Sequence, residues 1–261
     1  MMAMPFTVVD AFADRPFTGN PAAVMVLDRW PDDALLQSIA LEHNLSETAF
    51  VVPTSGDADY ELRWFTPTVE IAMCGHATLA SGHVLMGERR EVRFATRKAG
   101  VLVVGRERGG YTLDLPVTRV APAGDAALLA ALGIEGDVFA SVAGAQQTSV
   151  ILVADAATVR GCTPDMAALA ACEVMAIVTA PGDVADVVSR VFVPAWGVDE
   201  DPVTGSAHAA LAPFWSERLG SGRFTAFQAS ARGGYLTCTL AGERAVLGGE
   251  CVTVMRGELL V

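Results

Sequence analysis

The chain has 261 residues, 52% of them hydrophobic and 18% charged, with a formal net charge of −12. That size and apolar content suffice for one large or two modest domains with real cores, and they argue against disorder. So acidic a chain, lacking any cluster of Lys and Arg, repels phosphate backbones, which sets nucleic acid aside as a partner. The opening Met1-Met2-Ala3-Met4-Pro5-Phe6 has neither a basic stretch nor a sustained apolar one, so no signal peptide is expected. The most apolar later stretch, 166–180, carries Glu173 and is too short to span a bilayer, so no membrane partner is expected. Cys74, Cys162, Cys172, Cys238 and Cys251 form an odd set without a Cys-x-x-Cys pair. That argues against a disulfide framework or a zinc site and for a reducing cytoplasm; no metal-ligand cluster is expected.

Residues 6–12 read as a strand from their β-branched and aromatic content, 15–21 as a turn punctuated by Pro, Gly and Asn, and 22–27 as a second strand. Residues 31–43 place Leu35, Leu36, Ile39 and Ala40 on one helical face, with Asn44 positioned to end the helix in a left-handed turn. Strands are expected at 49–52 and 60–65. Residues 76–86 follow Gly75, are apolar nearly all round and end at Gly87, the pattern of a helix enclosed by a core. Strands resume at 92–94, 101–104 and 111–115. The Pro-, Ala- and Gly-rich stretch 116–124 marks a boundary between a half at 1–118 and a half at 119–261, the last strand being free to return to the first half. In the second half, 125–132 and 166–172 read as helices, and 149–153 and 175–179 as strands. A largely apolar helix over 206–219 follows Gly205, contains Pro213, where a kink is expected, and closes at Gly220. Strands at 235–240, 245–247, 251–255 and 258–261 complete the chain.

The halves share a pattern. Phe65-Thr66-Pro67 leads to Cys74-Gly75-His76-Ala77, and Phe192-Val193-Pro194 leads to Thr204-Gly205-Ser206-Ala207. A glycine at a helix start lets a ligand approach the first N–H groups, and the helix dipole favours an anion there. Two such starts facing each other would make a cleft for a carboxylate, with Gly75, Gly205 and Thr204 as binding residues. Groups able to handle protons surround them: Cys74 and His76 on one side, Asp201 and Ser206 on the other, and Glu47 where a helix gives way to a strand.

Asp10-Ala11-Phe12 with Pro16-Phe17-x-Gly19-Asn20-Pro21-Ala22-Ala23-Val24 resembles the opening motif of the PhzF-like, phenazine-biosynthesis-like family. Asn44-Leu45-Ser46-Glu47-Thr48, the stretch from Phe65-Thr66-Pro67 to Cys74-Gly75-His76-Ala77-Thr78, and Asp201-Pro202-Val203-Thr204-Gly205-Ser206-Ala207 resemble its further signatures, in order, as far as Gly257-Glu258-Leu259. The resemblance implies an α+β, diaminopimelate epimerase-like fold, each half a curved antiparallel sheet rolled around a central helix. It implies a cofactor-independent isomerase with Glu47 as catalytic base and His76, Asp201 and Ser206 as its partners. The substrate would be a small carboxylate, the assembly a homodimer. In the phenazine enzyme itself the position of Cys74 is acidic, and in the related epimerases it holds one of two catalytic cysteines.

Two other functions compete: an epimerase using Cys74 as one acid or base, and a binding protein without turnover. A cysteine at a helix N-terminus is expected to have a lowered pKa. Asp201 and Ser206 also suit plain helix capping. His43 and His83 read as structural, His208 stays open, and Gln228 and Arg232 read as a solvated loop.

Overall fold

The computed structural model describes residues 3–107, 109–143 and 147–261, so Met1 and Met2 of the opening stretch lie outside the described residues. The chain divides into two compact units, Met1–Asp114 with Gly248–Val261, and Leu115–Leu247.

In the first unit the strands lie in the row Cys251–Leu260, Ala3–Ala11, Asn20–Val26, Glu47–Pro53, Tyr60–Phe65, Glu91–Thr96, Val101–Glu107 and Gly110–Pro116. Neighbours are antiparallel except at two steps, where Asn20–Val26 meets Glu47–Pro53 and Tyr60–Phe65 meets Glu91–Thr96 in parallel. A parallel step cannot be closed by a tight turn and needs a long crossover, usually helical. The first crossover carries helix α1 (Asp33–His43), the second helix α2 (Gly75–Leu85). Helix α1 stops at Asn44, whose φ of 48° is left-handed, and buries Leu36, Ile39 and Ala40 against Met25 and Phe50. Residues 75–82 of α2 are all buried, and the helix packs on Cys251–Leu260, Ala3–Ala11, Asn20–Val26, Glu47–Pro53, Glu91–Thr96 and Val101–Glu107. Gly82 permits the closest approach, since a Cβ there would sit 2.4 Å from Cγ1 of Val104.

The second unit repeats the row with Val120–Ala123, Asp137–Ser141, Thr148–Leu152, Met175–Pro181, Val187–Val193, Arg223–Gln228 and Gly234–Ala241. Helix α3 (Ala126–Leu132) precedes the second of these strands, with Asp125 accepting from Leu128 N at 2.9 Å as its cap. The two parallel steps recur at the same places. The first crossover carries helices α4 (Ala156–Gly161) and α5 (Met166–Ala170), the second helix α6 (Gly205–Leu219). Helix α6 stays continuous across Pro213. Proline has no N–H for the carbonyl four residues back, Ala209, and Thr118 N donates to that oxygen instead, at 3.1 Å. Among the described residues no helix is long and apolar enough to cross a membrane.

Candidate active site

In the first unit, Glu47 opens its strand directly after the α1 turn, and Cys74 and His76 flank Gly75 at the start of α2. Glu47 Oε2 lies 3.0 Å from His76 Nε2, with side-chain exposures of 14% and 4%. The contact lies outside hydrogen-bond alignment, so Oε2 is buried without a hydrogen-bond donor. Cys74 Sγ is 3.5 Å from His76 Nδ1 and 3.9 Å from Nε2. Burial and the neighbouring Glu47 carboxylate push the Cys74 thiol up to about 11. That corrects the lowered pKa expected from its helix-start position, because loss of hydration outweighs the dipole. Burial alone would pull the His76 imidazole down, yet its net direction is upward, because Cys74 and Glu47 both favour the imidazolium. With Cys74 a neutral thiol near pH 7, the Glu47 carboxylate is the charge that holds it there.

Asn20 joins this cluster, its amide Nδ2 standing 3.0 Å from His76 Nδ1. The opening motif is what delivers it. The buried Asp10 carboxylate accepts from Phe17 N at 2.8 Å, and Phe17 adopts a left-handed φ of 71°. Gly19 has a φ of 64°, and a Cβ there would lie 2.2 Å from the Ala11 carbonyl oxygen. The sequence marked this stretch as a turn and a motif but gave Asn20 no part in the site.

In the second unit, Asp201 ends the strand Val198–Asp201 and Thr204 stands immediately before α6. The Thr204 hydroxyl donates to Asp201 Oδ2. Gln228, fully buried at the end of its strand, braces both: Oε1 accepts from Thr204 N at 2.9 Å, and Nε2 donates to the Asp201 carbonyl at 2.7 Å. Gln228 is therefore no solvated loop residue, and partners 24 and 27 positions away explain why local sequence hid it. The Ser206 hydroxyl reaches the Met175 sulfur at 3.9 Å rather than capping its helix. Met175 opens its strand as Glu47 opens the matching one, so the pair Glu47–His76 has Met175–Ser206 as its counterpart.

One further device recurs in both halves. Arg63 grips Glu70 with two bonds of 2.8 Å, and Arg190 grips Glu200 with bonds of 2.7 and 2.9 Å. Each guanidinium also lies over the Phe of its own Phe-x-Pro, Phe65 at 5.0 Å and Phe192 at 4.9 Å. Glu70 lies four residues before Cys74, as Glu200 lies four before Thr204. Each clamp thus ties the segment feeding a central helix to the strand behind it.

The remaining candidates resolve as structure. His83 bonds to Tyr111 Oη at 3.0 Å and Thr253 Oγ1 at 2.9 Å. His208 is fully buried, with Nδ1 donating to the Thr204 carbonyl at 2.8 Å. The absence of a metal-ligand cluster expected from the cysteine spacing does not hold, because donor atoms of Glu47, Cys74 and His76 all lie within 4.8 Å of one another. Cys74 and His76 are neighbours in sequence, but only the fold brings Glu47 to them.

Residues 9–257 match the profile of a family described as Phenazine biosynthesis-like protein. An uncharacterized isomerase of Pseudomonas aeruginosa is 49% identical over 266 residues, covering 99% of each chain. The crystal structure of a PhzF-family phenazine biosynthesis protein from Enterococcus faecalis is 41% identical and covers 100% of both chains with a TM-score of 0.88. A probable proline racemase from Agrobacterium radiobacter, 11% identical, is alike in fold, with a TM-score of 0.63 over 99% of this chain and 93% of that one.

Proposed function

Because the chain belongs to the phenazine biosynthesis-like family, we propose that it is an isomerase in which Glu47 moves a proton on a small carboxylate. Its fold is diaminopimelate epimerase-like, a scaffold that serves isomerases, epimerases and racemases alike and so leaves the reaction to the site. The observation that carries the reading is the Glu47–His76 pair at 3.0 Å, its histidine buried and its carboxylate half-buried, whose counterpart in the other half, Met175–Ser206, contains no base.

In this reading a Glu47 carboxylate oxygen takes a proton from a carbon activated by the substrate carboxylate. His76, whose Nδ1–H is met by the Asn20 amide oxygen when that amide is turned over, steadies the charge on Glu47, and the proton returns at another carbon of the conjugated system. The double bond shifts, no electrons are exchanged with the enzyme, and a base with its hydrogen-bonding partners supplies the chemistry. First-turn N–H groups at Gly75 and Gly205 lack acceptors within their own helices and suit an anion. On the second unit, Asp201, Thr204 and Ser206 offer hydrogen-bonding groups rather than a base.

The spacing of the first cluster favours a double-bond shift over epimerisation by Glu47 and Cys74. Two groups flanking one carbon, each about 3–3.5 Å from it, stand roughly 6–7 Å apart. Glu47 and Cys74 bring their donor atoms within 4.8 Å, and so approach a substrate from one side. The same reading includes a homodimer, which sedimentation of the purified chain tests.

The test of the mechanism is Glu47→Gln, which keeps the shape and removes the base. Cyclic and amino-acid carboxylates are incubated in deuterated water and followed by mass spectrometry. The parent enzyme gains deuterium in its substrate, and the variant loses at least about a hundredfold in exchange and turnover while still binding it. Normal exchange by the variant would remove Glu47 from the mechanism.

A further inference from the structure

Glu47, Cys74 and His76 offer one carboxylate oxygen, one sulfur and one imidazole nitrogen within 4.8 Å of one another, all on the first unit. We propose that this triad is a binding site for a sulfur-seeking divalent transition-metal ion of the zinc class, and that such an ion inhibits the enzyme by occupying its base. The binding stands on the donor set alone, whereas the inhibition rests on Glu47 being the base.

Zinc takes sulfur at about 2.3 Å and nitrogen or oxygen at about 2.0–2.2 Å, which puts the ligand atoms of a tetrahedral site roughly 3.3–3.7 Å apart. The distances present are 3.0 Å between Glu47 Oε2 and His76 Nε2 and 3.9 Å between Cys74 Sγ and the same nitrogen. The third pair, Glu47 and Cys74, stands within 4.8 Å, so closing the site takes side-chain movements of up to about 1 Å. Glu47 Oε2 is buried and meets His76 Nε2 without hydrogen-bond alignment, so a metal ion bound to both atoms would replace that ion pair. The outer shell is also in place. A histidine that ligates through Nε2 needs an acceptor at its Nδ1–H, and the Asn20 amide, 3.0 Å away, supplies one when turned over to present its oxygen.

The charge balances. As the ion binds, the Cys74 thiol and the His76 imidazolium each give a proton to solvent, so that sulfur enters as thiolate and His76 as neutral imidazole. Carboxylate and thiolate together then neutralise the divalent ion. Three protein ligands leave a fourth position for water or for a substrate carboxylate.

Cobalt(II), a visible stand-in for zinc, tests the site on the purified full chain. The expected result is a sulfur-to-cobalt charge-transfer band in the near ultraviolet, with the ligand-field bands of a four-coordinate ion, saturating at one cobalt per chain. Cys74→Ser removes the charge-transfer band, Cys172→Ser leaves it unchanged, and Asn20→Ala weakens cobalt binding by about 10–100-fold, as loss of an outer-shell partner does. No band, or a band that survives Cys74→Ser, overturns the site. A band that forms while Glu47→Gln exchanges deuterium normally keeps the metal site and overturns the inhibition together with the proposed base.

Discussion

Acid should destabilise this protein through His208, and the size of the effect follows from its surroundings. The ring is fully buried on α6, its Nδ1–H donates to the Thr204 carbonyl at 2.8 Å, and its Nε2 is buried without a partner. A proton added at Nε2 would be buried with no acceptor among the described residues, and burial accordingly pulls the imidazole from 6.5 down to about 4. The folded-state pKa is depressed for a base, so the unfolded chain takes up the proton first as pH falls. Stability is untouched above the unfolded pKa of 6.5 and is lost as pH drops from there toward about 4. The full gap is worth about 3 kcal/mol, of which about 2 kcal/mol is expressed at about pH 5. Urea unfolding at about pH 7.5 and pH 5 measures the loss in the parent and in His208→Asn. Asparagine can keep the donor to Thr204, cannot titrate, and lowers stability at both pH values alike. The variant should therefore lose about 2 kcal/mol less than the parent between the two conditions. Equal losses in the two proteins would refute a buried neutral His208.

The Arg–Glu clamps carry stability as well as position. Glu70→Gln leaves Arg63, 3% exposed, with only the 65%-exposed Asp33, and should cost about 2–4 kcal/mol in urea unfolding. Glu200→Gln should cost less, because Arg190 is 15% exposed and keeps the carbonyls of Cys162 and Arg160. A change below about 0.5 kcal/mol in Glu70→Gln would place this clamp among the surface ion pairs that contribute little. Alkylation of the native chain near neutrality, read by peptide mass spectrometry, should label the partly exposed Cys172 well before the buried Cys74, whose thiol sits up at about 11. Cys74 labelling first would show an accessible thiolate and revive an acid–base role for it.

The central helices were legible because their composition leaves no alternative: a glycine start and an apolar surface all round have nowhere to go but the middle of a sheet. Glu47 was legible from its motif, at the first residue of a strand. Other elements were not. Val120–Ala123 lies inside the stretch read as a boundary, since Val-Ala-Pro-Ala has little strand character, and among the described residues it pairs with Asp137–Ser141 alone, at the end of its row where proline is tolerated. The strand Arg223–Gln228 alternates buried and outer positions and could have been found by its period of two. The clamps were within reach too, because Arg63-x-Phe65-x-Pro67 and Arg190-x-Phe192-x-Pro194 extend the Phe-x-Pro repeat of the two halves. Gln228 and Asn20 were out of reach, since each acquires its role from a residue that only the fold brings near.

Comparing the halves position by position separates what builds the scaffold from what does chemistry. Both keep the clamp, the ring beneath the guanidinium, the glycine at the helix start and the two parallel steps. They differ where the side chains meet at the helix starts: Glu47 against Met175, Cys74 against Thr204, His76 against Ser206, and Ile71 against Asp201. A buried carboxylate needs a charged or donating partner, and His76 accompanies Glu47 as Ser206 accompanies the uncharged Met175. The second half therefore pays nothing for burying a base that it lacks, and its one acid at this place, Asp201, is held by the Thr204 hydroxyl. Because the clamps anchor each segment from behind the helix start, these positions can change chemistry while the strand row and its central helix persist. One scaffold, duplicated, can then supply a proton-transferring cluster in one half and a hydrogen-bonding cluster in the other.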